Sequence, residues 1–412
     1  MDQVGLSEAK LLDYVCAFIV KGLELLEYGS CEMALVSTSS ICQGEQVALL
    51  WPRILTNATI KFAYRPFKWS NVATKNAGVW CTIIGLSATS YSRRFLFAEH
   101  QVQECNNISP YLVSGSDIIC TPRNLAISDL QPMKMGSNAV DGKNLVLDSE
   151  EAQCILSANP SAGRFIRKYG GTKELVSGLD RYCVWIPDEK VEEACKIETI
   201  NKLVESCRKY RMGAGRDARK AAKRPHAFCY STYENFEFIH VGNTIGNSFN
   251  YVPANIRQAG YVSNHNAFTI YSSLGFEFAL IVSTLHRVWA ETIAGRLGNG
   301  TRYGNTVVYN TFPVPTLTEQ NKIDLTRCAE DILLARENYF PATIADMYDP
   351  QRMDSEFPLV REAHDRNDET LERIYIGRRF KNDTERLEKL FELYTKMTAQ
   401  QPLSTKKKKL KR

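Results

Sequence analysis

The stretch YRPFKWSNVATKNAGVWCTIIGLS, residues 64–87, decides how the first hundred residues fold. Its second half, VWCTIIGL, is a short and nearly continuous apolar run, which predicts a buried strand. Its first half places Phe67, Lys68 and Trp69 in a predicted loop just before that strand. Two large aromatic side chains and a cation on an exposed turn point to a role beyond core packing.

Helix and strand patterns alternate around this stretch. The spacing of apolar residues predicts helices over residues 7–28 and 40–55, and strands over residues 31–38, 59–67 and 78–87. The predicted loop SNVATKNA, residues 70–77, joins the last two strands. Helices that alternate with apolar strands are typical of an α/β fold, so the sequence predicts an α/β domain over residues 1–105.

The pattern changes further along the chain. Residues 106–315 contain short strands, many loops and a charged helical segment at 191–224, which predicts a separate α+β domain. Residues 316–402 are predicted to be helical, and the apolar stripe within residues 383–397 is expected to pack in a core. Residues 403–412 form a basic tail that we expect to be disordered.

Composition and motifs exclude several classes of protein. The 12 cysteines form no C-x-x-C pair and lie singly, often in apolar runs, so we expect no zinc site and a reducing cytoplasm. No apolar run approaches the ~20 residues that span a bilayer, so no membrane partner is expected. The sequences G-x-x-x-x-G-K-[ST], H-E-x-x-H and G-x-S-x-G are absent, and the six histidines show no metal-ligand spacing.

A basic segment lies within the predicted helical region. Between residues 208 and 224 there are eight cations and one acid, Asp217. Solvated helix faces usually mix both signs, so this segment predicts an anionic partner or carboxylates elsewhere in the fold. The candidate DNA contacts in it are Arg208, Arg211, Arg216, Arg219 and Lys220.

A second cluster is the glycine-rich sequence AGRLGNGTRYGNTVVYNTFPVP, residues 294–315, in which TVVYNTF is predicted to form a strand. Arginine and asparagine reach phosphates and base edges, although turn amides that serve only the loop explain the same pattern. The candidates here are Arg296, Arg302, Tyr303, Asn305 and Asn310. Asn264, in a predicted turn between strands, is added to them.

Several long segments resemble one family in the expected order. They are ALVSTSSICQGEQVALLWPRIL (34–55), FAYRPFKWSNVATKNAGVWCTIIGL (62–86), GGTKELVSGLDRYCVWI (170–186), VWAETIAGRLGNGTRYGNTVVYNTFPVP (288–315) and ADMYDPQRMDSEFPLVREAHDRNDETLERIYI (345–376). They resemble the MmeI-like adenine-specific DNA methyltransferases. The resemblance implies part of a class I methyltransferase Rossmann-like sheet, then an α+β target recognition domain and a helical C-terminal domain.

The resemblance also implies a function. Such enzymes bind double-stranded DNA and flip an adenine out of the duplex, because its amino group is unreachable inside the stack. By resemblance, Phe67 and Trp69 lie against the flipped base and Lys68 lies near a phosphate. The alternative is that one of the aromatic side chains only fills the end of the sheet.

Two signatures of the family are absent from the chain. One is the glycine-rich loop that holds S-adenosylmethionine, and the other is the tetrapeptide N-P-P-[YF]. The only Asn-Pro pair, at residues 159 and 160, is followed by Ser161. No catalytic residue is therefore assigned, and the chain is interpreted as the C-terminal portion of a longer enzyme. We expect an N-terminal methyltransferase partner to supply both signatures. A DNA-binding remnant and a scaffold that pairs with an acidic protein are the alternatives.

Overall fold

The structure is a computed structural model that describes residues 12–27, 31–69, 79–98, 101–246, 249–272, 275–298 and 300–400. The predicted loop at 70–77 and the tail at 403–412 lie outside the described residues. The chain divides into two compact units, and neither is continuous in sequence. The first unit contains residues 1–130, 288–318 and 372–412, and the second contains residues 131–287 and 319–371.

The described residues contain helices and strands in mixed order. The helices are α1 (Val15–Leu26), α2 (Glu45–Asn57), α3 (Ser149–Ala158), α4 (Thr172–Ser177), α5 (Val191–Cys195), α6 (Glu198–Gly213), α7 (Arg216–Ala221), α8 (Phe276–Ile281), α9 (Thr284–Ile293), α10 (Glu319–Glu337), α11 (Ile344–Met347), α12 (Met353–Glu356), α13 (Pro358–Ile376) and α14 (Asp383–Gln400). The strands are β1 (Glu32–Thr38), β2 (Thr59–Lys68), β3 (Trp80–Ser87), β4 (Arg94–Ala98), β5 (Gln101–Cys105), β6 (Met133–Met135), β7 (Val146–Leu147), β8 (Ile166–Gly170), β9 (Arg181–Val184), β10 (Phe238–Gly242), β11 (Thr244–Ile245), β12 (Ala254–Arg257), β13 (Val262–Ser263), β14 (Ala267–Tyr271), β15 (Gly295–Leu297) and β16 (Gly300–Arg302).

The first unit is built on a five-stranded sheet with the order β1-β3-β2-β4-β5. β3 lies between β1 and β2 and is antiparallel to both, so β1 and β2 run in the same direction. The connection from β1 through α2 to β2 therefore returns to a parallel strand, which is the α/β unit that the sequence predicts. β1 is an edge strand among the described residues.

The two faces of this sheet differ. One face carries the paired residues Ile84, Ala63 and Leu96, which are all buried. The other carries one residue from each strand in a continuous line, which we name the apolar row: Val36, Ile83, Tyr64, Phe97 and Val102. Val36 is 54% exposed, Tyr64 38% and Val102 60%. The described residues thus leave much of the apolar row open to solvent.

The second unit has an enclosed core. Its two four-stranded sheets have the orders β12-β10-β14-β6 and β13-β8-β9-β7. All five residues of the central strand β10 are buried, including His240. A second cluster packs Leu147 of β7 and Val184 of β9 against Ile200 and Val204 of α6. No helix in the described part of the chain combines the length and apolarity needed to cross a bilayer.

Two local predictions are corrected. The helix predicted over residues 40–55 is a 3-10 turn, Ser39–Cys42, followed by α2, because Gly44 adopts a φ of +61° and interrupts the helical path. The strand predicted at TVVYNTF is a π-helix, Asn305–Tyr309, in which the amide of Asn310 donates to the carbonyl of Asn305. A short apolar run does not distinguish a buried helix from a buried strand.

Candidate functional site

The candidate site lies at the carboxyl ends of β1 and β2, which meet at one edge of the first unit's sheet. In open α/β sheets, ligands bind outside the carboxyl ends of the strands. β1 ends at Thr38 and β2 ends at Lys68, while β3 begins between them at Trp80. The stretch that opened the sequence analysis therefore supplies both the last residues of β2 and the first residue of β3. We call this region the carboxyl edge.

A β-bulge shapes β2 just before this edge. Tyr64 pairs with Ile83 and Phe67 pairs with Cys81, so Arg65 and Pro66 together oppose the single residue Thr82. The hydroxyl of Thr82 donates to the carbonyl of Tyr64 at 2.5 Å, beside the bulge. Proline has no amide hydrogen and is tolerated in sheets at bulges, where the ladder is already interrupted. Bulges re-aim side chains next to functional sites.

Aromatic rings and cations cluster beyond the bulge. The rings of Phe67 and Trp69 lie 6.5 Å apart, and the amide of Trp69 donates to the carbonyl of Val79 at 2.8 Å. Lys68 pairs with Trp80 across the strands. The guanidinium of Arg296 stands 4.6 Å from the centre of the Trp80 ring. Four predicted contacts, Phe67, Lys68, Trp69 and Arg296, are therefore brought together.

Partial burial affects the pKa of Arg296. Removal from water lowers the pKa of its guanidinium, and the nearby carboxylate of Glu291 acts in the opposite direction. Arginine nevertheless stays protonated at neutral pH, so the carboxyl edge carries a partly desolvated cation against an aromatic face. Such a cation interacts strongly with an added negative charge, because little water competes for it.

The loop between the 3-10 turn, Ser39–Cys42, and α2 reaches the same region. The amide of Gly44 donates to the carbonyl of Ile293 at 2.9 Å, and a Cβ on Gly44 would stand 3.3 Å from the amide nitrogen of Gly295. This close approach places Gln43 and Arg296 along one cavity of about 250 Å³. Arg65, Pro66 and Tyr111 are among its other lining residues. Sequence reasoning missed Gln43, Arg65 and Trp80, although a proline within a predicted strand is a signal of the bulge.

Two candidates in the glycine-rich segment are corrected. Tyr303 is only 2% exposed and is part of the core, so its ring is not available to DNA in this structure. Asn310 is buried, and its amide group donates to the carbonyl of Arg123 at 2.8 Å. Arg302 ends β16 with an exposed side chain, and the half-buried Asn305 begins the π-helix. DNA contact by Arg302 and Asn305 stays a prediction.

The basic segment of the second unit covers the end of α6 and all of α7. Arg208 pairs with Glu205, and Arg216 contacts Asp217, but these pairs are exposed and therefore weak. Arg219 and Lys220 in the last turn of α7 are also exposed. These four cations remain candidates for DNA contact.

The structure corrects the prediction that Arg211 contacts DNA. Its side chain is 0% exposed, so it offers no surface to DNA. Its guanidinium donates five hydrogen bonds, to the carbonyls of Ala139, Val140, Ala221, Arg224 and Ala227. Three of these carbonyls follow or end α7, so Arg211 holds the turn that carries the exposed cations. It therefore has a structural role.

Asn264 is also corrected. Its side-chain oxygen accepts from the amide of Asn266 at 2.8 Å, which closes the turn before β14. The residue is buried, and a Cβ on Gly171 would lie 2.1 Å from its Oδ1. The glycine thus makes room for the asparagine.

Asn159 of the Asn-Pro pair caps a 3-10 turn by accepting from the amide of Ser161, a local structural role.

Comparison with known families decides the identity of the chain. The sequence model of the MmeI DNA-methyltransferase domain matches residues 2–98, that of the MmeI target recognition domain matches residues 114–316, and that of the MmeI C-terminal domain matches residues 317–401. The chain belongs to the MmeI family of DNA methyltransferases. The predicted family and fold class are confirmed. The domain boundaries that the sequence predicts at residues 105, 315 and 402 remain a proposal.

Two relatives of the MmeI-family chain are especially informative. DNA methyltransferase A of Bacillus subtilis (strain 168) is 31% identical over 394 residues, which are 94% of this chain and 44% of that protein. The structure of the type IIL restriction-modification enzyme MmeI in complex with DNA matches with a TM-score of 0.88 and 29% identity, over 96% of this chain and 53% of that one. The chain spans about half the length of these relatives.

Proposed function

We propose that this chain is the DNA-recognition part of an MmeI-like restriction-modification enzyme that methylates adenine in double-stranded DNA. The observation that carries the proposal is the likeness of 96% of the chain, at a TM-score of 0.88, to a restriction-modification enzyme bound to DNA. The carboxyl edge and the basic segment are the two regions whose chemistry suits DNA. Because its proposed ligand is DNA, we assign the working protein to the cytoplasm.

In the first unit, we assign Phe67 and Trp69 to contact with a flipped base. Trp69 is exposed and Phe67 is half-buried at the end of β2, so their rings are held by a strand while part of their surface stays available. Base stacking on an aromatic side chain contributes about 1–3 kcal/mol per base. Lys68 and Arg302, both exposed, are assigned to nearby phosphates.

In the second unit, we assign Arg208, Arg216, Arg219 and Lys220 to the DNA backbone. Their carboxylate neighbours are exposed and can exchange for phosphate, because exposed ion pairs are worth at most about 1 kcal/mol. Arg211 fixes the turn beneath them through its five carbonyl bonds. Contacts of this type give affinity that falls with salt concentration.

We assign the binding of the methyl donor, S-adenosylmethionine, to the part of the related proteins that this chain does not span. A glycine pair does join β8 to α4, but the described residues there do not fit a cofactor. A Cβ on Gly170 would lie 2.3 Å from the hydroxyl of Tyr261, and one on Gly171 would meet Asn264. The chain's own side chains thus fill the space that a donor would need. The N-P-P-[YF] residues are assigned to the same remaining part.

The apolar row and the free edge of β1 suit contact with that remaining part. An edge strand offers unpaired backbone groups, and an apolar face in water is a common protein-interaction surface. The outer side of α1 adds exposed Tyr14, Phe18 and Leu25. We assign these surfaces to the N-terminal part of the enzyme, either within a longer polypeptide or as a separate subunit.

The test is methyl transfer from tritiated S-adenosylmethionine to duplex DNA, with this chain and the N-terminal part of a relative added separately and together. We expect label on adenine only when both are present. Phe67→Ala with Trp69→Ala should lower the rate, while Arg93→Gln, an exposed cation paired with Glu104 elsewhere on the sheet, should leave it unchanged. Absence of transfer with retained, salt-dependent duplex binding would identify a DNA-binding remnant. Absence of any duplex binding at low salt would favour a scaffold for an acidic protein.

A further inference from the structure

A turn between β6 and β7 of the second unit has a strained backbone. We call residues 140–143 the strained turn. Val140 has a φ of +46° and Lys143 a φ of +66°, on either side of Gly142 at +65°. Residues with a Cβ rarely adopt this left-handed conformation, and a β-branched residue such as valine does so least readily. Glycine fits the conformation without strain, so the presence of a lysine at position 143 needs another explanation.

Hydrogen bonds fix the strained turn in this conformation. One carboxylate oxygen of the buried Asp141 accepts from three backbone amides, those of Asn144 at 2.8 Å, Leu145 at 2.6 Å and Val146 at 3.1 Å. The side-chain amide of Asn144 also donates to the carbonyl of Asp141 at 2.7 Å. Strained backbone persists where the surrounding structure fixes it in this way, and such strain clusters in segments that serve a function.

Arg211 joins the strained turn to the basic segment. Its guanidinium donates to the carbonyls of Ala139 at 2.7 Å and Val140 at 3.0 Å, and also to those of Ala221 and Arg224, both at 3.1 Å. The strained turn is therefore held in a fixed position relative to the exposed cations of α7. Groups that are already fixed in the free protein lose less conformational entropy when they bind a ligand.

The exposed surface of the strained turn suits a sugar-phosphate unit. Lys143 is exposed, and it forms no ion pair with any residue in the described part of the chain. The ring of Tyr210, a residue of the basic segment, lies over Gly142, because a Cβ on this glycine would stand 2.5 Å from Cγ of the ring. Tyr210 is 47% exposed, so part of its ring is open to solvent next to the turn. Lysine and tyrosine side chains are common contacts of the DNA backbone.

We propose that the strained turn is a further DNA contact, in which Nζ of Lys143 binds a backbone phosphate and the ring of Tyr210 packs against the adjoining deoxyribose. This inference rests on the proposed function, because it needs duplex DNA at the basic segment. A glycine at position 143 would relax the turn but would remove the cation. Since phosphates and sugars are the same in every sequence, the contact adds affinity and orientation without selecting a base.

Substitutions at Lys143 separate stability from binding. Lys143→Gly should slow amide hydrogen exchange in the second unit about fivefold, because glycine adopts the left-handed conformation readily. For duplex DNA and the full 412-residue chain, the slope of log affinity against log salt should decrease by about 0.9, the contribution of one phosphate contact. Lys143→Gln keeps the strain and removes the charge, so it should reduce the slope equally and leave exchange unchanged.

Two controls test the charge at this position. Lys143→Arg keeps a cation and should retain the slope. Lys202→Gln removes an exposed lysine at the other end of α6, where it pairs with Glu198, and should also retain the slope. Tyr210→Leu tests the ring: affinity should fall about threefold with an unchanged slope, because no charge is lost. Unchanged affinity in Tyr210→Leu would overturn the assignment of the ring.

The outcomes separate the inference from the proposed function. A reduced slope in both Lys143→Gly and Lys143→Gln, with slower exchange only in the glycine variant, supports the inference. If the unaltered chain binds duplex DNA and Lys143→Gln keeps the full slope, the inference is overturned and the proposed function stands. Unchanged exchange in Lys143→Gly would show that the turn is not strained and would also overturn the inference. If the unaltered chain binds no duplex at low salt, both fail.

Discussion

The sheet of the first unit and the core of the second unit use apolar residues in opposite ways. The apolar row leaves Val36 and Val102 more than half exposed, whereas Val262 of the second unit is completely buried. The second unit also buries polar groups, among them Arg211 and three histidines: His240, His286 and His364. The first unit therefore exposes apolar surface to solvent. The stability of the second unit depends instead on polar groups in its interior that are hydrogen-bonded or uncharged.

The largest expected effect is at Arg211. Arg211→Met removes five hydrogen bonds and leaves buried carbonyls unpaired, which should lower the free energy of unfolding of the second unit by about 3–5 kcal/mol. Hydrogen exchange with mass spectrometry resolves the effect by unit, and faster exchange should be confined to residues 131–287 and 319–371. Arg219→Met, on the exposed face, should change stability by less than about 0.5 kcal/mol. A loss below 1 kcal/mol at Arg211 would contradict its structural role.

Acid should weaken the second unit through its buried histidines. Burial lowers the pKa of His240 and of His286 to about 3, and the pKa of His364 falls well below the ordinary value for the same reason. Below pH 6.5 the unfolded chain binds protons that the folded unit excludes, so stability falls as pH falls toward 3. Each histidine contributes a slope of about 1.4 kcal/mol per pH unit in that window.

His240→Leu isolates one of these contributions. Both ring nitrogens of His240 lack hydrogen-bond partners within the described ranges, so the substitution removes a titrating group without breaking a bond. Between pH 6 and pH 4, the unfolding free energy of the variant should fall less steeply than that of the original chain, by about 1.4 kcal/mol per pH unit. His265→Leu, at an exposed position, should leave the slope unchanged. Parallel curves for His240→Leu would show that this imidazole does not stay neutral in the fold.

The same substitution at two valines compares the two units directly. Val262→Thr buries a hydroxyl in the enclosed core and should cost about 1–3 kcal/mol. Val36→Thr in the apolar row should cost less than about 0.5 kcal/mol, since the side chain is already largely in water. It should also slow aggregation of the isolated chain, as measured by light scattering. A cost at Val36 equal to that at Val262 would mean that the apolar row is covered within this chain.

The smallest effect concerns the basic segment. Replacing Arg219 and Lys220 with glutamine should leave stability within about 0.5 kcal/mol. If both contact phosphates, the slope of log affinity for duplex DNA against log salt should decrease by about 1.8, since each contact contributes about 0.9. Arg378→Gln, which removes an exposed cation of the first unit paired with Glu385, is the control. An unchanged slope would remove the basic segment from the DNA surface.

Sequence periodicity predicted three of the five strands of the first sheet, β1, β2 and β3, but it gave no prediction for β4 and β5. It failed at Asn305–Tyr309, where a buried run of similar composition forms a π-helix. Residue type alone also overestimated the candidate contacts. Arg211 and Asn310 have the chemistry of DNA-binding residues, but Arg211 donates to the carbonyl of Val140, 71 residues earlier, and Asn310 to that of Arg123, 187 residues earlier. Burial of this kind depends on tertiary packing, which a single sequence does not contain.

The bulge at Arg65 and Pro66 also governs the direction of everything after it in β2. Side chains alternate between faces, so Phe67 would lie on the face opposite Tyr64 in a regular strand, three positions further on. The extra residue restores Phe67 to the same face as Tyr64, as its pairing with Cys81 requires. In a regular strand of the same residues, without the bulge, Phe67 and Lys68 would exchange faces although neither side chain had changed. At this point the spacing of the chain, as much as its chemistry, selects which group is presented to a ligand.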